Sequence, residues 1–439
     1  MSFIEILDTL LFTALLSYAL LHMKFFERFP LSRAFIVIIF LVKIIAGSAY
    51  GIIYTKYYNG GDTMEYFNAS KLITNLLYQH EYAVYLRMVF GYHSHPPPPD
   101  LQPYAFNVGY WNDASAYFII RFHALSSLLS FDNYYVHVVF YEWLTLIGEL
   151  YLLLFFYELI GAKKLLITLA VFFFPSMLFW SSGIHKDGIS LAALGLVLYF
   201  SNKIFVFKKR PHKQNSTAEY FGKGKLAWRI LGLLIGVWIL LIVRNFWLLL
   251  LIPTLISLVW VINFPKHKLA KFIILHAIYF GVAINLNSFA PEWDFLNLIV
   301  LKQSEFQHIS GAAHTESITG IIPSLGSVLY ALPAAFRNCF LRPWFSEIEN
   351  AGQLFAAVEN ILVILMFIGS LIFMKRKFSN SEQAIILFSL FFAFSLFAVI
   401  GITVPVVGAL VRYKITGVML LLVACITIIN PEKLPSTDF

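Results

Sequence analysis

The sequence predicts an all-α fold, a polytopic bundle of transmembrane helices, and three observations carry that prediction. Of 439 residues, 59% are hydrophobic and only 13% are charged, where a soluble domain carries about 25% charge. The apolar residues gather into runs long enough, at roughly 20 residues, to cross a bilayer. Aromatics are abundant, with 44 Phe, 23 Tyr and 9 Trp, which suits lipid-facing helices and interfacial belts.

Eleven runs qualify as spans: 3–22, 34–55, 133–160, 164–183, 187–207, 227–243, 245–263, 270–288, 354–375, 383–401 and 409–429. The first has an acidic start (Glu5, Asp8) and no small-residue cleavage site after it, so it reads as a span and not as a cleavable signal. With 23–33 on the cytoplasmic side, twenty Lys and Arg fall on that side and eleven on the other, with Lys43 inside a span. The excess lies in short turns, where basic residues report orientation best. The N-terminus is therefore expected outside and the C-terminus in the cytoplasm. The net charge of +8 marks topology and not a nucleic-acid partner. Cys339 and Cys425 are the only cysteines, and a disulfide framework is not expected.

This topology makes residues 1–439 a single integral membrane domain with two large external loops, 56–132 and 289–353, and a flexible cytoplasmic loop at 208–225. The first loop opens on Asn59-Gly60-Gly61-Asp62, where two glycines let the chain turn as the second span leaves the bilayer. Met64, Phe67, Leu72, Ile73, Leu76 and Leu77 then recur at helical spacing, as in an amphipathic interfacial helix. Four prolines keep the segment from Gly91 to Asp100 extended. The runs 116–129 and 322–342 are also read as interfacial, because crossing there would invert every later basic turn. No internal repeat is visible.

Asp62 to Glu65 has a capping-box pattern, with Asp62 expected to cap the helix and Glu65 to reach back. A second polar knot, Trp180 to Gly188, carries His185, Lys186 and Asp187 between two apolar runs. A plain helical hairpin needs fewer polar residues. Lys186 can neutralise a phosphate there, while His185 or Asp187 orients a nucleophile or holds a cation. Arg244, Arg342 and Arg412-Tyr413-Lys414 place further cations at the expected external ends of helices, where ionisable groups are costly and their forked guanidinium groups suit phosphate oxygens. Glu142 and Glu149, seven apart, share one face of a span, with Lys43 and Asp8 as candidate partners, either to fix helix packing or to carry protons. His93, His95 and Asp100 have metal-binding side chains, but an i,i+2 pair in a proline-rich loop is a weak signal. P-loop, GxSxG, HExxH and CxxC patterns are absent.

Gly60-Gly61-Asp62 just outside an early span resembles the GT-C class of membrane glycosyltransferases. Phe174-Pro175-Ser176 to Asp187, Leu341-Arg342-Pro343-Trp344 with Glu359-Asn360, and Arg412-Tyr413-Lys414 are similar to stretches in Bacteroidetes-like bacterial membrane proteins associated with cell-surface polysaccharide synthesis. The resemblance implies transfer of a sugar from a polyprenyl-phosphate carrier to a glycan, lipid or protein acceptor. Asp62, with Glu65 the nearest second acid, would be catalytic. Lys186, Arg244, Arg342 and Arg412 would hold the carrier phosphate, supported by His185, Asp187, Tyr413 and Lys414. Some relatives use a divalent cation, Mg or Mn, beside the acid. The chain departs from the common pattern in having no acid directly adjoining Asp62 and one extra span before the usual first. An O-antigen-type repeat-unit polymerase and a lipid-linked substrate transporter or flippase stay open as alternatives.

Overall fold

The computed structural model describes residues 2–161, 163–206, 225–290, 292–309, 318 and 320–430. Among them the chain is helical, and the helices run in this order: α1 (Phe3–His22), α2 (Arg33–Lys56), α3 (Asp62–Tyr78), α4 (Tyr82–Phe90), α5 (Gln102–Ala105), α6 (Ala114–Ser130), α7 (Tyr134–Ile160), α8 (Lys164–Thr168), α9 (Pro175–Ser181), α10 (Lys186–Phe205), α11 (Lys225–Val243), α12 (Asn245–Asn263), α13 (Lys268–Asn285), α14 (Phe295–Ile309), α15 (Leu325–Leu341), α16 (Ala351–Ile372), α17 (Asn380–Thr403), α18 (Val407–Tyr413) and α19 (Ile415–Ile428).

Nine of these are long and apolar enough to cross a membrane, or eleven spans result if each of two bent pairs counts as one. The chain is thus an all-α, multi-pass membrane protein, and the positions of its helices follow the eleven apolar runs. Two runs that read as single helices are broken. The run 164–183 becomes α8, a π-helical turn over Leu169–Phe173 and α9, bent by 50°. Pro175 causes the break, since it has no N–H to continue the ladder and so begins a new helix. The run 409–429 bends by 47° between α18 and α19. At 17 residues, or about 25 Å, α15 falls short of a roughly 30 Å hydrocarbon core. The loop expected at 208–225 lies, up to 224, outside the described residues.

The chain divides into two compact units. The first holds Met1–Phe155, Leu178–Ile204 and Arg210–Leu248. Its α1 is apolar on the outside, with Phe3, Ile4, Leu7, Leu10, Leu11 and Leu15 all exposed, as a lipid-facing helix requires. The helices of the first large loop are not loose decoration. Tyr66, Phe67 and Ile73 of α3, Met88 of α4, Trp111, and Tyr117 and Ile120 of α6 make one core with Tyr134, Val138 and Tyr141 of α7. This core fixes the start of α3 against the start of α7.

The second unit holds Phe156–Met177, Phe205–Lys209 and Leu249–Phe439. Its centre is α17 packed against α15 and α19. Leu396, Phe397, Met419 and Leu420 are buried there. On α13, Ile273, Ile274, Ile278 and Val282 face outward, another lipid-facing stripe.

Candidate functional site

The glycine turn after α2 folds back on its own helix. Gly60 N–H donates to the Tyr54 carbonyl at 2.9 Å, and Gly60 and Gly61 adopt φ of 140° and 127°. A Cβ on Gly61 would lie 2.6 Å from the Tyr54 ring, so only glycine fits. The expected capping role of Asp62 is corrected here. Gly61 is the N-cap residue, with no side-chain cap, and its carbonyl accepts from Met64 at 3.0 Å and Glu65 at 3.2 Å. The helix thus begins one residue early, and Asp62 is its first residue. Its carboxylate instead accepts a hydrogen bond from the Tyr110 hydroxyl at 3.2 Å. The Glu65 charge acts on the same hydroxyl. Burial pushes the Tyr110 phenol up, and the charges of Asp62 and Glu65 push it further. Tyr110 therefore keeps its proton and donates it to Asp62, which is half-buried, while Glu65 is exposed. Both acids also sit in the first turn of α3, where the helix dipole favours them.

Lys186 is already partnered. Its ammonium lies 2.7 Å from Asp113 Oδ2 and 2.6 Å from Ser115 Oγ. Asp113 is the N-cap of α6, accepting from Ser115 N–H at 2.9 Å and Ala116 N–H at 3.1 Å. Burial alone would raise the Asp113 carboxyl. The Lys186 charge and these hydrogen bonds outweigh it and hold the group down to about 2.

The knot around Lys186 was expected as a polar turn at the external surface, yet Ser181, Ser182, His185 and Asp187 are buried. Arg244, expected as an external cation, is only 5% exposed and its Nη2 lies 2.5 Å from Asp187 Oδ1. His185 Nδ1 sits 3.2 Å from the other Asp187 oxygen, and the Tyr141 hydroxyl donates to the His185 carbonyl. The reason is charge matching: Asp187 and Arg244 can leave water together where neither could alone.

Deeper in the same unit, Lys43 Nζ lies 3.0 Å from Glu149 Oε1 and 3.2 Å from Glu142 Oε2. It also donates to the Ser181 carbonyl and hydroxyl, each at 3.2 Å. Glu142 Oε1 accepts from the Gly183 N–H at 2.5 Å. The close approach depends on Gly47, where a Cβ would meet Gly183 N at 2.7 Å. Glu142 and Glu149 are the expected pair on one face of α7, and they are the carboxylates that meet Lys43.

In the second unit, Arg342 and Lys414 come together. Lys414 Nζ donates to the carbonyls of Cys339 at 2.8 Å and Arg342 at 2.9 Å, and to Asn360 Oδ1 at 2.7 Å. Asn360 Nδ2 donates back to the Arg342 carbonyl at 2.9 Å. The Arg342 side chain turns to Glu347, with Nε 3.0 Å from Oε1. Burial works against the Glu347 anion, but the Trp344 N–H and the Arg342 guanidinium hold its carboxyl below the usual range. Arg412 and Tyr413 are half-buried at the end of α18. Tyr413 meets the Phe306 ring edge-on at 5.9 Å. Glu359 accepts from Ser176 N–H at 2.8 Å.

The first unit thus holds Asp62, Glu65, His185, Lys186, Asp187 and Arg244, and the second holds Arg342, Arg412, Tyr413 and Lys414. Sequence reasoning did not single out Tyr110, Asp113 or Glu347. Asp113-Ala114-Ser115 carries a cap signal that was there to be read; the other two show only through their partners. In the proline-rich loop, His93 Nε2 donates to the Trp111 carbonyl at 2.7 Å, and Asp100 pairs with Arg87. Among the described residues, no group of three or more His, Cys, Asp or Glu is placed for a metal ion. Of the two acids beside which the resemblance would place a divalent cation, Asp62 accepts the Tyr110 hydroxyl through Oδ1 and Glu65 is exposed. Comparison with protein-family models, with curated proteins and with solved structures found no match to this chain.

Proposed function

We propose that this chain is a membrane glycosyltransferase of the GT-C type, moving a sugar from a polyprenyl-phosphate carrier to a glycan, lipid or protein acceptor at the external face of a bacterial inner membrane. The observation that carries the reading is the Asp62, Tyr110 and Glu65 arrangement directly beyond the end of α2. A lipid carrier is confined to the bilayer, while its acceptor is polar, so the reacting groups belong at such a rim. Asp62 takes the proton of the acceptor hydroxyl as its oxygen attacks the anomeric carbon. The bond from that carbon to the phosphate oxygen breaks, and its electron pair leaves with the phosphate. A single displacement of this kind inverts the anomeric centre. Tyr110 holds the Asp62 carboxylate in place, and Glu65 adds a second acceptor on the exposed side.

Lys186 is the cation this reading assigns to the leaving phosphate, exchanging Asp113 for it. Arg244 stays on Asp187 and supports the knot that carries Lys186. Asp62→Asn tests the reading: in membranes with equal protein abundance, transfer from a labelled carrier should fall by about 10²–10⁴, the usual worth of a general base. Unchanged transfer would sink it.

A lipid-linked substrate transporter is the second reading, and the two bent helix pairs favour it. It differs in outcome. A transporter moves the carrier across reconstituted vesicles without breaking the glycosidic bond, and Asp62→Asn leaves that movement intact.

A further inference from the structure

The Lys43, Glu142 and Glu149 cluster has no part in the reaction proposed above, yet it is the most deeply buried group of charges in the first unit. Glu142 is eight residues into α7 and Glu149 fifteen, or about 12 Å and 22 Å along the helix, and Lys43 lies about 15 Å into α2. All three side chains are 0–1% exposed. Two carboxyl groups face one ammonium. An uncompensated charge at such depth is strongly disfavoured unless something balances it.

We propose that Lys43, Glu142 and Glu149 form a binding site for one monovalent cation, a proton or an alkali ion, inside the membrane-spanning part of the chain. The charge count gives one side of the case. Independent of it, Glu149 Oε2 is buried and accepts no hydrogen bond among the described residues. Glu142 Oε2 likewise accepts no hydrogen bond and has only its ion pair with Lys43 Nζ at 3.2 Å. Ser182 Oγ is also buried without a partner, and it sits between Ser181, which holds Lys43, and Gly183, which holds Glu142. Oxygen lone pairs are therefore left over around a cluster that lacks one positive charge.

The charge of the occupant follows from the same count. A divalent ion would leave three positive charges against two negative, reversing the imbalance instead of removing it. Both carboxylates lie within about 6 Å of each other through Lys43, close enough for one added charge to serve both. The other ionisable groups nearby do not supply it. Tyr134 and Tyr141 on α7 bring no positive charge, His185 rests on Asp187, and Asp187 already offsets Arg244 at 2.5 Å. A bound cation would also tie α2, α7 and the Ser181–Gly183 turn into one unit, the turn from which Lys186 extends.

The purified full chain in detergent tests this. Its thermal midpoint is measured in sodium, potassium and lithium against N-methylglucamine at fixed ionic strength, and across pH. For the wild type we expect a rise of about 1–3 °C per tenfold increase in the occupant. An alkali ion gives that response at constant pH. A proton gives it on acidification, with no alkali response and with a carboxylic-acid carbonyl band in the infrared spectrum. Glu149→Gln balances the charges at one to one, so it should fold and lose the dependence; Glu142→Gln is the second variant. Equal cation and proton dependence in wild type and Glu149→Gln overturns the proposal. So does a wild-type infrared spectrum with neither a carboxylic-acid band nor an alkali-dependent carboxylate shift, a result that needs no variant.

Discussion

At the scale of single residues, Asp113 shows how a site member escapes sequence reading. Its partner Lys186 is 73 positions away, and only the packing of α6 beside the start of α10 brings them to 2.7 Å. Lys186 itself was legible, as a basic residue in an otherwise apolar stretch, and so were Glu142 and Glu149 through their seven-residue spacing. Tyr110 was not, because a tyrosine in an aromatic-rich chain stands out only once its hydroxyl is seen to meet Asp62. The Asp113 carboxyl, lowered to about 2 in the fold from an unperturbed 3.8, contributes stability above its unfolded value that is lost as pH falls through the folded one. The carboxylate is 44% exposed, so solvent screening reduces that contribution to about 1 kcal/mol. Asp113→Asn keeps the cap and removes the charge. It should lower the thermal midpoint at neutral pH. The gap from wild type should close between about pH 4 and pH 2, and a gap that stays constant across that range would show that Lys186 gains nothing from the anion.

At the scale of elements, the long apolar runs were legible as helices because length and hydropathy mark a candidate span. The errors lie where one run contains two elements. Phe174-Pro175 was visible, but a proline inside an apolar run bends some helices and merely starts others, and the neighbouring π-turn has no sequence mark. The start of α3 was misplaced by one residue for a comparable reason. Asp at a helix start is a good cap, and only the fold of Gly60-Gly61 over Tyr54 reveals that Gly61 takes that position. The two glycines separate the causes. Gly60→Ala meets nothing within 4 Å and suffers only the strain of a φ of 140°, so it should cost about 1 kcal/mol. Gly61→Ala adds a 2.6 Å clash with Tyr54 and should cost about 2–3 kcal/mol while displacing Asp62. Chemical or thermal unfolding of the two variants side by side checks this, and equal costs would mean that the Tyr54 contact yields freely.

At the scale of the whole molecule, α8 and α9 together either cross the membrane or turn back within it. Among the described residues nine helices are long and apolar enough to cross, and the bent pairs would raise the number to eleven. The distribution of basic residues bears on the choice. If the bent pair 164–181 crosses, Lys163, Lys164 and the basic loop at 208–225 share one side. If it turns back, that loop moves to the side of Lys56 and the glycine turn, against the positive-inside tendency. Between Asn59 and Ser216 lie α7, the bent pair and α10, which makes three crossings in the first case and two in the second. Single cysteines at these two positions decide it, on a background in which the buried Cys339 and Cys425 are replaced by serine or alanine. With a crossing pair, a membrane-impermeant maleimide should label Asn59→Cys in cells whose outer barrier alone is opened. Ser216→Cys should then react only after the inner membrane is lysed. Labelling of both before lysis would make the pair re-entrant. Labelling of Ser216→Cys alone would invert the orientation, placing Asp62 in the cytoplasm and removing the external face on which the proposed transfer depends.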